Sequence, residues 1–490
     1  MKLKMYINGE WRESSSKAIR DIINPANGEL IAQAAEGTLE DAEAAIQAAR
    51  EAFDSGIWSD LTAAERASYL YKIADKLEER HKELVELEVM DNGKTRGEAE
   101  FDMEDAAVCF RYYAGLITKP AGETFDVPDP NIHSMVVREP VGVAGLVVPW
   151  NFPMLMSVWK IAPALAAGNT IVFKPAEITP VTAVKVFEIM EEVGIPAGVA
   201  NMVLGEGGVI GQTIAESHDV DAISFTGSTQ TGRKIMQAAT GNIKKISLEL
   251  GGKSPNIIFD DVDLEIAVDQ ALFGIFFGAG QVCVAGSRIL VQEGLYDRFV
   301  ERFVERAKKI KVGPGNEEDV EMGAIVSESQ MNNILNYIKI GQEEGAVLAA
   351  GGKRITERGL DKGFFIEPTV FTDVTQDMRI VQEEIFGPVV TIQKFKDEKE
   401  AIELANDVDF GLAGGVFTND GARALRVIKK LRAGITWINT YHPAFVEAPW
   451  GGYKQSGIGR GLGTYGLEDF QEVKQININL NPGMAGWFKG

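Results

Sequence analysis

Between Val141 and Ala239 the chain repeats one order of elements: an apolar run, a turn containing Gly or Pro, then a helical pattern. The runs are VGVAGLVV, TIVF, VANMVLG and DAISF, and helical stretches follow Pro153, span Pro180 to Val193, and span Thr229 to Ala239. Strands that alternate with helices and are apolar along their whole length belong to parallel sheets covered on both faces. The pattern predicts an α/β fold with a doubly wound parallel sheet, whose ligand lies at the carboxyl ends of its strands. A second alternating set starts at SPNIIFD (254–260) and continues past residue 430, which predicts a second α/β unit.

The most apolar stretch, Val141 to Ala167, carries Lys160 as its only charge and is long enough by count to cross a bilayer. Pro149, Pro153 and Pro163 interrupt it, with Trp150 and Asn151 in its middle, so it reads as a buried strand, a sharp turn and a helix. The length of 490 residues predicts two or three domains. With 49 Lys and Arg against 71 Asp and Glu, the net charge of −22 disfavours nucleic-acid and membrane-surface partners. Two cysteines, Cys109 and Cys283, exclude a disulfide framework or a Cys-rich zinc site; no metal is expected, and a reducing, cytoplasmic location is. The opening MKLKMYINGEW has no apolar stretch of signal-peptide length.

The first hundred residues read as mainly helical. A capping signal at Thr38 to Asp41 opens one helix, and a second places Leu70, Ile73 and Leu77 on one face and stops at Asn92 and Gly93. The proline-rich segment from Thr118 to Pro140 reads as a hairpin or arm.

Five places carry chemistry. DAISF runs through Thr226, Gly227, Ser228 and Thr229 to Gly232, a strand-to-helix turn that aims backbone amides at an anion such as a pyrophosphate. A tight turn without ligand has the same spacing. In KPAE, Lys174 and Glu177 stand at a strand end, where the acid can accept ribose hydroxyls and repel the extra phosphate of NADP. A solvated ion pair is the plainer explanation. Cys283, among small residues in GAGQVCVAGSR, is either a nucleophile or an inert buried thiol, and Cys109 in AAVCFRYYAG reads as the latter. Glu249 lies between Leu248 and Leu250, where apolar surroundings favour the neutral acid and suit a general base near neutral pH. Asn151, between two prolines, is a turn former or an oxyanion donor.

Taken together, PWNFP (149–153), KPAE (174–177), FTGST (225–229), LELGGKSP (248–255), GQVCVAGSR (280–288), EEIFGP (383–388) and PWGGYKQSG (449–457) resemble the aldehyde dehydrogenase superfamily along essentially the whole chain. The resemblance implies Cys283 as nucleophile, Glu249 as general base, Asn151 as oxyanion donor and Lys160 as a catalytic neighbour of the base. It implies cofactor contacts at Trp150, Lys174, Glu177, Gly227, Ser228, Gly232, Gln330, Glu384 and Phe386, with NAD as cofactor and NADP possible. An aldehyde would become a carboxylic acid through a thiohemiacetal and a thioester on Cys283.

Phe152, Trp159 and Trp450 match substrate-pocket positions. Trp159 and Trp450 match an aromatic box for an ammonium group in betaine and amino-aldehyde dehydrogenases, but PWNFPMLMSVWK reads like the general enzymes. The first expectation is a broad aliphatic, aromatic or retinal-type aldehyde substrate; the alternative is a betaine aldehyde or amino-aldehyde. A cysteine hydrolase using Cys283 with His442 is a remote third reading. The implied architecture is a dinucleotide-binding domain (1–118 and 141–251), a catalytic domain (252–455), and an oligomerisation arm (119–140) with a C-terminal segment (456–490). A homotetramer or homodimer is expected. One departure stands out: the family usually has Glu in a G-R-E-L-G run, near the lysine matched by Lys160, where this chain has Gly461.

Overall fold

The computed structural model describes residues 1–119 and 122–488. Residues 120–121 of the expected arm and 489–490 of the expected C-terminal segment lie outside them. The fold is mixed α/β and is built on two parallel-sheet cores. At the centre of the first sheet five strands run parallel: Lys245–Glu249, Ala222–Thr226, Val143–Val147, Thr170–Lys174 and Ala200–Met202. Val143–Val147 and Thr170–Lys174 are buried at every position, as their continuous apolar runs predict. The second sheet has seven strands, of which only Val347–Ala350 runs antiparallel to its neighbour.

A third, antiparallel sheet pairs Gln471–Asn479 with Ile132–Pro140, and Glu123–Phe125 adds to the latter. Here the C-terminal strand meets the expected arm. The segment from residue 456 nevertheless serves two places. Gly457–Ile458 pairs with Leu248 and Glu249 on the edge of the first sheet, and the chain returns through helix Gly463–Glu468 before it reaches the third. Only the stretch from Gln471 onward joins the arm.

The helical reading of the first hundred residues needs correction at both ends. Five strands precede residue 36: three build a small separate sheet, and Met5–Ile7 and Glu10–Arg12 extend the first large one. None exceeds six residues, too short for a period-two pattern to stand out. The second helix is two, Ala63–Glu79 and His81–Asn92, because Arg80 leaves helical geometry and its guanidinium binds Glu83 and Glu188. The other signals translate directly. Thr38 caps helix Leu39–Asp54 in a reciprocal box with Asp41, and Gly93 closes His81–Asn92 in the left-handed region. No described helix is long and apolar enough to cross a membrane.

Candidate active site

A cavity of about 850 Å³ opens between the two large sheets. The strand Val143–Val147 delivers the turn Pro149–Pro153 to its rim, and helix Pro153–Ala167 starts from that turn with proline at its first position. Asn92 pins the turn by donating its amide to the Trp150 carbonyl at 2.7 Å. Asn151 is nearly buried and gives one amide hydrogen to the Gln281 carbonyl at 2.9 Å, which ties the turn to the loop carrying Cys283. Its second amide hydrogen remains for a ligand oxygen.

The Cys283 loop is built by strained backbone. Gly278, Ala279 and Gly280 all take positive φ, and a Cβ on Gly280 would run into the Gly387 carbonyl. Gln281 then anchors the loop by accepting the Val326 amide at 3.0 Å. Cys283 is half-buried in the cavity wall, and burial, with Glu384 and Glu249 nearby, pushes its thiol up to about 12. At rest it is a thiol, so a base is required.

Glu249, at the end of strand Lys245–Glu249, faces the same cavity. Both of its carboxylate oxygens are buried without a hydrogen-bond partner. An unpartnered buried carboxylate is costly as an anion, and burial raises Glu249 to about 8 against the opposing pull of Lys160 and Arg460. Lys160, on helix Pro153–Ala167, donates to the Ser224 hydroxyl at 2.7 Å and is lowered by burial to about 8. A base and a lysine poised at similar values share one cavity.

The cofactor residues divide into two groups. Trp150, Gly227, Ser228, Gln330, Glu384 and Phe386 line the cavity. Lys174, Glu177 and Gly232 do not. Lys174 and Glu177 stand apart at the carboxyl end of Thr170–Lys174, where the nearly buried lysine binds the Pro175 carbonyl at 2.9 Å and the glutamate at 3.3 Å. Ser228 caps the ten-residue helix Thr229–Ala238, leaving a helix N-terminus at the cavity rim. Gly232 lies inside that helix and lets it press on Leu250, so its part is packing.

Glu384 accepts the Gly252 amide at 2.9 Å and is raised by burial to about 7. Phe386 holds positive φ, is clamped by Gln330 donating to its carbonyl at 2.8 Å, and meets Trp150 edge-to-face at 5.2 Å. Strained non-glycine backbone persists where surroundings over-determine it, typically at ligand sites.

The substrate side is aromatic. Trp159 and Trp450 meet edge-to-face at 5.5 Å, and Phe152 stacks on Phe277 at 6.5 Å. The Trp159 indole donates to Asp105 at 3.0 Å, a carboxylate that burial holds above its usual range. Asp105, Phe101 and Phe445 line the same cavity. Sequence patterning passes over Asp105 because its helix, Arg96–Leu116, looks like ordinary core.

His442 also reaches the cavity but does not pair with Cys283. Its Nε2 bonds the Gly274 carbonyl at 3.1 Å, so that nitrogen carries the proton, and Phe273, Phe277 and Tyr441 enclose the ring. This removes the base that a cysteine hydrolase would need. Cys109 is fully buried, as expected of an inert thiol.

Residues 11–476 match the aldehyde dehydrogenase family. The chain is 54% identical over 488 residues to a betaine aldehyde dehydrogenase of Bacillus subtilis (strain 168), covering 100% of both. It is 49% identical to an aldehyde dehydrogenase of Emericella nidulans, over 98% of this chain and 95% of that one. The fold superimposes on the crystal structure of Staphylococcus aureus betaine aldehyde dehydrogenase in complex with NAD+ with a TM-score of 0.98, at 53% identity and covering 99% and 96% of the two chains.

Proposed function

Because the chain belongs to the aldehyde dehydrogenase family, we propose that it oxidises a cationic aldehyde, of the betaine aldehyde or amino-aldehyde class, to the carboxylic acid. The carrying observation is the Trp159–Trp450 pair beside Asp105 in the cavity of Cys283. Indole faces attract an ammonium group by about 0.5–2 kcal/mol, and a nearby carboxylate adds to that field. The relatives named as betaine aldehyde dehydrogenases weigh the same way, and the broad aliphatic, aromatic or retinal-type expectation gives way to this alternative. The stacked Phe152 and Phe277 would still accept neutral aldehydes more weakly.

NAD fits the residues present. The Ser228 helix N-terminus suits a pyrophosphate, Glu177 suits ribose hydroxyls and opposes the extra phosphate of NADP, and Glu384 with Phe386 suits the nicotinamide end. Bound there, NAD supplies the hydride acceptor for the oxidation.

The residues of the chain do the remaining work. Cys283, once deprotonated, adds to the aldehyde carbon, and the alkoxide takes hydrogen bonds from the free Asn151 amide hydrogen and the Cys283 backbone amide. Glu249 draws a proton from the water that attacks the thioester, and Lys160 exchanges that proton with it. Loss of the carboxylate form limits the rate at low pH, so thioester hydrolysis should rise with pH through about 8.

We assign residues 1–118 and 141–251 to dinucleotide binding, 252–455 to catalysis, and the arm with the stretch from Gln471 to assembly into a homodimer or homotetramer. A cytoplasmic location suits its two free cysteines. The test is catalytic efficiency on betaine aldehyde, hexanal, benzaldehyde and retinal. Clear preference for the first is expected, and Trp450→Ala should raise its KM roughly fivefold to thirtyfold with little effect on hexanal. Equal efficiencies across the panel would reinstate the broad reading.

A further inference from the structure

Behind Glu249 the cavity continues into a recess whose walls carry Lys160, Ser224, Ser247 and Asp469. Asp469 follows helix Gly463–Glu468, on the segment that returns along the edge of the first sheet. Ser247 donates to its carboxylate at 2.8 Å, and the Arg460 backbone amide donates as well.

Gly461 forms the opposite wall. Its backbone exchanges two hydrogen bonds with Trp450, both 2.7 Å, yet a Cβ built on it would meet nothing nearer than the Trp450 carbonyl at 3.8 Å. The recess is therefore open where a side chain could stand.

The charged and titratable groups facing Asp469 are Lys160 from helix Pro153–Ala167, Lys245 and Glu249 from strand Lys245–Glu249, Arg460 from the preceding turn, and Tyr113 from helix Arg96–Leu116. Glu249 and Asp469 are the two carboxylates whose charges act on Lys160.

We propose that Asp469 is a positioning residue for thioester hydrolysis, holding across the recess the ammonium that forms when Lys160 takes the proton Glu249 has drawn from the attacking water. The proposal rests on the Cys283 and Glu249 roles above. The water gives one proton to Glu249 and its oxygen to the thioester carbon, and the C–S bond breaks to leave the Cys283 thiolate. The proton moves from Glu249 to the neutral Lys160 amine, then to water in the recess beside Gly461. No electrons change hands. Because burial brings Glu249 and Lys160 to similar values, the transfer between them is nearly balanced. Asp469 tilts it toward Lys160, since a negative charge there favours the ammonium and disfavours the Glu249 carboxylate.

The experiment compares the pre-steady-state burst of NADH with steady-state turnover of betaine aldehyde, from pH 6 to 10, in the unmodified protein, Asp469→Asn and Gly461→Glu/Asp469→Asn. In Asp469→Asn the burst should persist. Steady-state turnover should fall roughly tenfold, less than the ~10²–10⁴ of a positioned proton-transfer group because Lys160 stays in place. The acidic limb of the profile should move to lower pH, because Glu249 loses a like charge. The double variant, which returns a carboxylate to the recess from Gly461, should recover turnover. An unchanged limb and turnover in Asp469→Asn, or equal loss of burst and turnover that the double variant does not recover, overturns the proposal. Absence of a burst in the unmodified protein overturns the Cys283 reading beneath it, a separate result.

Discussion

Glu249 concentrates the chemistry of the site in one side chain. Its two oxygens are buried without partners, a condition that a purely structural carboxylate would relieve with a hydrogen bond or an ion pair. Glu249→Gln should retain the burst of NADH and lose steady-state turnover by roughly 10²-fold or more, the range for removal of a positioned base. Equal loss of both phases would move Glu249 to the first step. Cys283→Ala should lose the burst altogether. Asn151→Ala should lower kcat by about 10²–10³, as removal of an oxyanion donor does, and binding of the aldehyde should change much less. The sequence made these three residues legible because each is chemically out of place: an acid in an apolar strand, a thiol among small residues, an amide between prolines. Asp105 and Asp469 are out of place only in three dimensions. Each lies in an ordinary amphipathic stretch, and only the cavity reveals it.

At the level of elements, the site depends on loops that rigid sheets hold in strained shapes. Gly280 is the tightest of them, with positive φ and a carbonyl where a Cβ would go. Gly280→Ala should destabilise the protein rather than give the roughly 0.4–1 kcal/mol gain of a compatible Gly→Ala change. A lowered Tm with kcat falling more than KM rises is the expected pair of measurements. The parallel cores were readable because fully buried strands leave uninterrupted apolar runs. The strands before residue 36 were not, since two to six residues carry too little periodicity, and neither was the break at Arg80, which long-range ion pairs create. The edge strand Gly457–Ile458 shows the same limit. Two residues carry no strand signal, yet they bring Gly461 and Asp469 to the back of the base.

For the whole molecule, the net charge of −22 and the cavity have to be reconciled. An acidic protein that takes a cationic aldehyde gains from its own field, and the anionic dinucleotide relies on local helix and lysine groups at Ser228 and Lys174. Assembly is the second question at this scale. Val473, Ile478 and Leu480 are exposed along the C-terminal strand, on a sheet of only three strands. Val473→Lys with Ile478→Lys should turn a dimer or tetramer into smaller species in sedimentation velocity, whereas an unchanged distribution would place the contact elsewhere.

The central claim is that this cavity selects charge, and one ratio tests it. Betaine aldehyde and 3,3-dimethylbutanal have nearly the same shape and differ in the positive nitrogen. Recognition by Trp159, Trp450 and Asp105 predicts a kcat/KM at least about tenfold higher for the charged aldehyde, equivalent to about 1.4 kcal/mol. Equal values, or a preference for the neutral analogue, would contradict it.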